Sequence, residues 1–328
     1  ANTSSFDYRY AVLSEYEDDD TIILWVDALG IEWLPLLYWG IANNCDGTIT
    51  NVALAQATLP TETSFNEQWN SMSMPYKKLN KLDKLAHKGV IDEPDYYTCI
   101  EEQMDFVTGI SNQVSSLLAE YRRVVITGDH GTSRLAARFF HCRDGVDVPQ
   151  DAIVYSHGRY CKLPQNSTLS LPNVEIVKDA RGDRYAVFSN YDHFKQSGFA
   201  AGADDENAIY GEVHGGATPE EMLVPVIVVE SNKEAQIVGS WEKQTVKISM
   251  KKAKLSISFN RQIENLSVKM AGIQATVSKI DAGKTWAVVF PGAKAGTYPV
   301  EVNADGRIVS LPDITLLSAL GGGDGDLP

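Results

Sequence analysis

Two apolar runs in this chain stop abruptly at an aspartate. TIILWV (21–26) meets Asp27, and VVIT (124–127) meets Gly128 and Asp129. Short runs without polar alternation suit strands buried on both faces, as in a parallel sheet covered by helices. In open sheets of that kind, ligands bind beyond the carboxyl ends of the strands. Both aspartates stand at such ends, although an aspartate there is also an ordinary turn former or helix cap. A third run, VPVIVVE (224–230), closes the sheet, and Pro225 suits only its beginning or an edge position.

Between these runs lie a further strand candidate (48–59) and helical spacing of apolar residues over 95–107 and 111–123. Alternating strands and helices predict an α/β fold, a sheet with helices on both faces, over residues 21–232. Residues 1–20 are polar, end in the acidic run Glu17–Asp20, and are expected to form a solvated lead-in. After Ser231 the texture changes to short alternating strands such as KLSISF, LSVKM and TWAVVF. That pattern predicts a small all-β sandwich, Ig-like, over 233–320. Residues 321–328, GGGDGDLP, are expected to form a flexible tail.

Charge narrows the partners. Residues 1–232 hold 17 Lys+Arg against 34 Asp+Glu, a net of −17, and residues 233–328 hold 12 against 9, a net of +3. So acidic a segment repels a polyanion unless metal ions or a local basic patch intervene, so charge does not indicate nucleic acid as a partner. The apolar stretch 21–42 contains Asp27, Glu32 and Pro35, which argues against a membrane span. The four cysteines form no C-x-x-C pair. With no secretory segment, they are expected to be reduced thiols of a cytoplasmic protein.

The stretch TLPTETSFN (58–66) crowds three threonines and a serine around a proline. Ser64 and Glu67 have capping-box spacing, which predicts a helix from about residue 65 with Thr63 at its positive end. A threonine hydroxyl is too weak an acid to attack alone, but a bound cation can hold it as the alkoxide. His130 directly follows Asp129, and carboxylate plus imidazole is a common zinc or manganese ligand pair. Glu101 and Asp105, four apart on one helix, share a face, where a cation would relieve their repulsion; a solvated face explains them equally. Thr218, Pro219 and Glu221 form a capped helix start, so His214 is presented by a stiff Gly-Gly loop beside the last strand. Asn66 is a candidate donor to a phosphate oxygen, and His157 a candidate cleft residue beside Arg159. His87 and His141 read as surface histidines.

Five stretches in order, WVDALGIEWL, LPTETSFN, VVITGDHG, NYDHFKQSGF and HGGATPEEMLVPVIVV, resemble the PglZ domain, a branch of the alkaline phosphatase superfamily. The resemblance covers roughly residues 20–230. It implies an alkaline-phosphatase-like hydrolase fold with two metal ions and a threonine nucleophile. Asp27, Thr63, Asp129 and His130 match the ligands of one metal, and Asp105 and His214 match ligands of the other. Where such relatives carry a histidine four residues before the second-site aspartate, this chain has Glu101. The cofactors implied are two divalent ions, zinc first, with manganese or magnesium the alternatives for a site hardened by Glu101. The resemblance also implies a longer N-terminus than is present here, and a role beside other proteins of a bacterial anti-phage (BREX) system.

The activity expected is metal-dependent phosphoester hydrolysis, diesters before monoesters, through a phosphothreonine on Thr63. Two other readings stand beside it. A catalytically silent interaction module is favoured by Glu101 and by the appended β domain. A nuclease needs a basic groove, for which only the lysines near 77–88 and 243–254 are available.

Overall fold

The protein is described from a computed structural model, which covers residues 6–195, 211–232 and 237–318. The expected tail, 321–328, lies outside the described residues. The chain divides into two units, Ala1–Lys233 and Glu234–Pro328.

The first unit is mixed α/β. Its elements are α1 (Arg9–Ser14), β1 (Thr21–Val26), α2 (Leu34–Asn44), β2 (Gly47–Gln56), β3 (Tyr76–Leu79), α3 (Lys81–Ala86), α4 (Glu93–Leu118), β4 (Arg123–Thr127), α5 (Arg134–Cys142), β5 (Ile153–Tyr155), β6 (Tyr160–Leu163), β7 (Val174–Lys178), β8 (Arg184–Phe188), α6 (Pro219–Met222) and β9 (Leu223–Ser231). The main sheet has the order β2-β9-β4-β1-β3. β1 is parallel to β3 and β4, while β9 is antiparallel to β4 and β2. The strand expected to close the sheet is therefore internal. Pro225 lies opposite Leu54 of β2, one residue before the ladder with β4 begins at Val226, so its missing N–H falls at the start of the strand.

Every residue of β1 is buried, because alternate side chains enter two cores. Ile22, Leu24 and Val26 pack with Leu37 and Ile41 of α2 and with Val107, Ile110 and Val114 of α4. Ile23 and Trp25 pack on the other face with Val12 and Leu13 of α1 and with Trp69. The lead-in is therefore part of the core: Arg9, Val12 and Leu13 of α1 are buried. One six-residue helix places too few apolar residues in register to stand out from its acidic surroundings.

Two further expectations change. No helix begins near 65; short 3-10 turns at Thr63–Phe65 and Gln68–Ser71 take its place. The two periodic stretches after 95 are one continuous helix, α4, whose buried residues run Cys99, Gln103, Val107, Ile110, Val114 and Leu117. Tyr97 and Met104, although apolar and at helical spacing, are exposed.

β5–β8 form a second, antiparallel sheet in the order β5-β6-β8-β7. In the second unit, three sheets of four, three and four strands surround one core that includes Trp241, Ile257, Val268, Trp286, Phe290 and Val302. The strand Lys252–Phe259 buries every second residue in its pattern, as alternation requires. The four cysteines are free thiols, with Cys99 and Cys161 buried and Cys142 exposed. Among the described residues, no helix is long and apolar enough to cross a membrane.

Candidate metal centre and nucleophile

β1 and β4 run side by side in parallel, with Trp25 opposite Thr127, so the residues after them emerge at one edge of the sheet. Asp27 and Asp129 are those residues, 5% and 0% exposed. Asp129 Oδ1 accepts hydrogen bonds from the backbone N–H of Ala28 and of His130, both at 3.1 Å. The backbone here is crowded: a Cβ on Gly131 would come within 2.1 Å of the Glu220 carbonyl, so only glycine fits after His130.

The threonine loop closes over this edge. Thr63 Oγ1 lies 2.8 Å from Asp129 Oδ2, 3.3 Å from His130 Nε2 and 3.4 Å from Asp27 Oδ1. A hydroxyl has one proton to donate, and Asp129 Oδ2 is its shortest acceptor. Thr61 and Asn66 hold the loop. Thr61 Oγ1 donates to the Gly216 carbonyl at 2.6 Å and accepts from Gly215 N–H at 2.9 Å. Asn66 is fully buried; its Oδ1 accepts from Thr58 N–H, and its Nδ2 donates to the carbonyls of Thr58, Pro60 and Glu62. Its amide is spent on the loop's own backbone, which corrects its assignment as a substrate contact.

A second donor group adjoins the first. Asp83, His87 and His214 place ligand atoms within 4.8 Å of one another, as do Asp27, Asp129 and His130. Asp83 and His87, four apart at α3, share a face; His87 Nε2 is 3.2 Å from Asp83 Oδ1, and His214 Nε2 is 3.8 Å from it. The segment carrying His214 is tied to α3 by the Glu212 N–H to Ala86 carbonyl bond of 2.9 Å. His130 and His214 stack at 4.0 Å between ring centroids, joining the two groups.

Glu101 and Asp105 take no part in either group. Both lie on the exposed side of α4, away from its buried stripe. The i,i+4 pair that reaches the site is Asp83/His87, and His87 is not a surface histidine: it is partly buried and bonded to Asp83. The signal was present in LDKLAHK, where Leu82 and Ala86 face inward and carry the pair with them. His157 lies in a tight left-handed turn with φ of 52°, its ring edge-on to Phe140 at 5.5 Å. Its neighbour Ser156 is the residue that reaches the threonine loop, by donating to Glu62 Oε1.

Two buried arginines brace the arrangement. Arg9 donates to the carbonyls of Gly128, Asp129 and Asn66 and to Gln68 Oε1, linking the strand-end loop to the threonine loop. Arg159 donates to both oxygens of Glu221, at 3.0 and 2.7 Å. Glu221 in turn accepts from Gly216 N–H and from the N–H and hydroxyl of Thr218, which fixes the loop presenting His214. A lone arginine in a polar stretch gives no sequence signal of such a role.

Electrostatics leaves the donors ready for a cation. Burial lowers His130 and His214 to about 4, so both are neutral imidazoles at pH 7. Each uses Nδ1 on a backbone carbonyl, His130 on Gly131 at 3.2 Å and His214 on Thr61 at 3.0 Å, which leaves the Nε2 lone pair free. Burial and the neighbouring Asp129 raise Asp27 to about 6. Burial works against an ionised Asp83, but its bond to His87 and the nearby imidazoles win and hold it at about 2. Carboxylates beside the neutral imidazoles of His130 and His214, with His87 completing the second group, fit zinc or another divalent transition ion.

No family model and no curated protein matches the chain. Solved structures overlap it only loosely. Human ectonucleotide pyrophosphatase/phosphodiesterase 5 is 16% identical with a TM-score of 0.27, over 53% of this chain and 54% of that one. The murine protein is 13% identical with a TM-score of 0.26, over 50% and 49%. A polysaccharide lyase is 13% identical with a TM-score of 0.21, over 51% and 26%. The chain thus spans about a quarter to a half of these three structures. Overlaps of this extent carry no function across.

Proposed function

We propose that this chain is a metal-dependent phosphoester hydrolase with Thr63 as nucleophile. The observation that carries this is the Thr63 hydroxyl, held within 3.4 Å of Asp27, Asp129 and His130, beside a second carboxylate–imidazole group. Asp27, Asp129 and His130 would hold one divalent ion, and Asp83, His87 and His214 the other. Such ions acidify a neighbouring hydroxyl and neutralise charge on phosphoryl oxygens.

The chain's own residues orient the reaction. Thr63 Oγ attacks phosphorus, the P–O bond to the leaving oxygen breaks, that oxygen takes a proton from water to depart as the alcohol, and a phosphothreonine forms. The hydroxyl proton is directed at Asp129 Oδ2. Water then cleaves the phosphothreonine and returns Thr63 to its starting state. The motif resemblance to PglZ proteins supports diesters as the first substrates to try, a cytoplasmic setting, and partners within a bacterial anti-phage complex.

Glu101 favoured a catalytically silent module only as a second-site residue. With Asp83, His87 and His214 forming that group, Glu101 lends it no support. The test is hydrolysis of bis-p-nitrophenyl phosphate with added zinc or manganese. Turnover that disappears in Thr63→Ala supports the reading. No turnover across a panel of metals, with none retained by the protein, overturns it in favour of an interaction module.

A further inference from the structure

Five of the eight lysines in residues 1–232 fall within 77–88, on β3 and α3, in the midst of an acidic unit. Most are engaged away from the donor groups. Lys77 donates to Gln113 at 2.8 Å, Lys88 pairs with Glu102 at 3.7 Å, and Lys81 lies over the Phe106 ring. Lys78 differs. Its ammonium is 2.7 Å from Asp27 Oδ2, on the carboxylate whose other oxygen faces Thr63.

The sheet places it there. β3 lies beside β1 with Lys78 opposite Trp25, two residues before Asp27. The ammonium also lies 3.8 Å from the centroid of the Trp25 ring, which supports the stem against an aromatic wall that includes Trp69 and Tyr76. The Lys78 side chain is 33% exposed while that of Asp27 is 7% exposed. The positive charge is thus at the border between the buried donors and solvent, where an incoming phosphoester arrives. One carboxylate, that of Asp27, lies between it and the Thr63 hydroxyl.

A cation held by Asp27 draws on the same negative charge that holds Lys78. The ammonium, a point charge on a flexible stem with three donors, then has the phosphoryl oxygens as its nearest unshared negative charge. Its attraction scales with that charge, which is greater on the dianion of a monoester than on the monoanion of a diester.

We propose that Lys78 is a specificity-determining residue of this site, binding a non-bridging phosphoryl oxygen and favouring monoesters relative to diesters. This rests on the hydrolase reading above. The test compares wild type with Lys78→Met and Lys78→Arg, each loaded with zinc. The readouts are p-nitrophenyl phosphate against bis-p-nitrophenyl phosphate turnover, and calorimetric binding of inorganic phosphate. In Lys78→Met, kcat/KM for the monoester is expected to fall about ten-fold further than for the diester, with phosphate binding weakened about ten-fold. Lys78→Arg retains most of both.

Equal losses on both esters, with phosphate binding unchanged and zinc retained, would show Lys78 to be only a partner of Asp27 and overturn the proposal. If wild type turns over neither ester, the hydrolase reading fails by itself, and phosphate binding to the zinc-loaded variants still decides for or against Lys78. A wild type that takes up no zinc overturns both.

Discussion

His130 and His214, 84 positions apart in sequence, lie face to face with ring centroids 4.0 Å apart and planes inclined by 22°. Each ring spends Nδ1 on a backbone carbonyl, so the free nitrogen of each belongs to a different donor group. The stack makes the two groups one site.

Thr63→Ala should reduce ester turnover by at least ~10³-fold, because it removes the attacking atom and not only a contact. Zinc content should stay near that of wild type, since Asp27, Asp129 and His130 remain. Steady-state kinetics and elemental analysis on the same preparation check this.

Asp83→Ala and His87→Ala should each lower bound zinc from two ions per chain towards one. Glu101→Ala and Asp105→Ala should leave the metal content unchanged and shift stability by no more than about 0.5 kcal/mol, as surface changes do. Loss of metal in the Glu101 and Asp105 variants instead would reinstate α4 as the second ligand helix.

Arg159→Met should destabilise the protein by about 3–5 kcal/mol, because it leaves Glu221 buried without its cation. Combining it with Glu221→Gln should recover part of that loss. Urea unfolding of the metal-stripped proteins measures both, and a cost below 1 kcal/mol for the single variant would remove the bracing role of the pair.

His130 and His214 should cost the metal-stripped protein stability as pH falls from 6.5 to 5. His130 and His214 are depressed to about 4, so the unfolded chain takes protons first and stability falls below 6.5. Asp27, raised to about 6, works the other way, because the folded state takes its proton first and gains stability as pH falls from 6 towards 4. His87 is raised by its bond to Asp83, so its contribution is lost as pH rises above 6.5 and is constant below. Glu32, raised by burial to about 8, opposes the imidazoles in the same way as Asp27, so the two imidazoles are read by difference: each contributes a loss on the order of 1–2 kcal/mol across the window at about 1.4 kcal/mol per pKa unit. Thermal melts across this window, with His214→Asn giving a flatter profile, provide the check.

The main features of the site's first half were legible in the chain because they are local. An apolar run that ends at an aspartate states both the strand and where its carboxyl end lies, and Gly128 and Gly131 flank Asp129 and His130 where a Cβ would meet a backbone carbonyl. Thr63 stood out within its own loop, although the helix expected after it proved to be two short turns. The second half was not legible, because two i,i+4 pairs, Glu101/Asp105 and Asp83/His87, carry the same local signal. What separates them is which side of α3 and α4 meets the sheet edge, and that follows from packing against residues far away in sequence. Arg9 and Lys78 belong to the same class: their charges acquire a function only through carbonyls and a carboxylate brought to them by the fold. Periodicity reports which face of an element is buried, but only tertiary contact decides what that face is buried against.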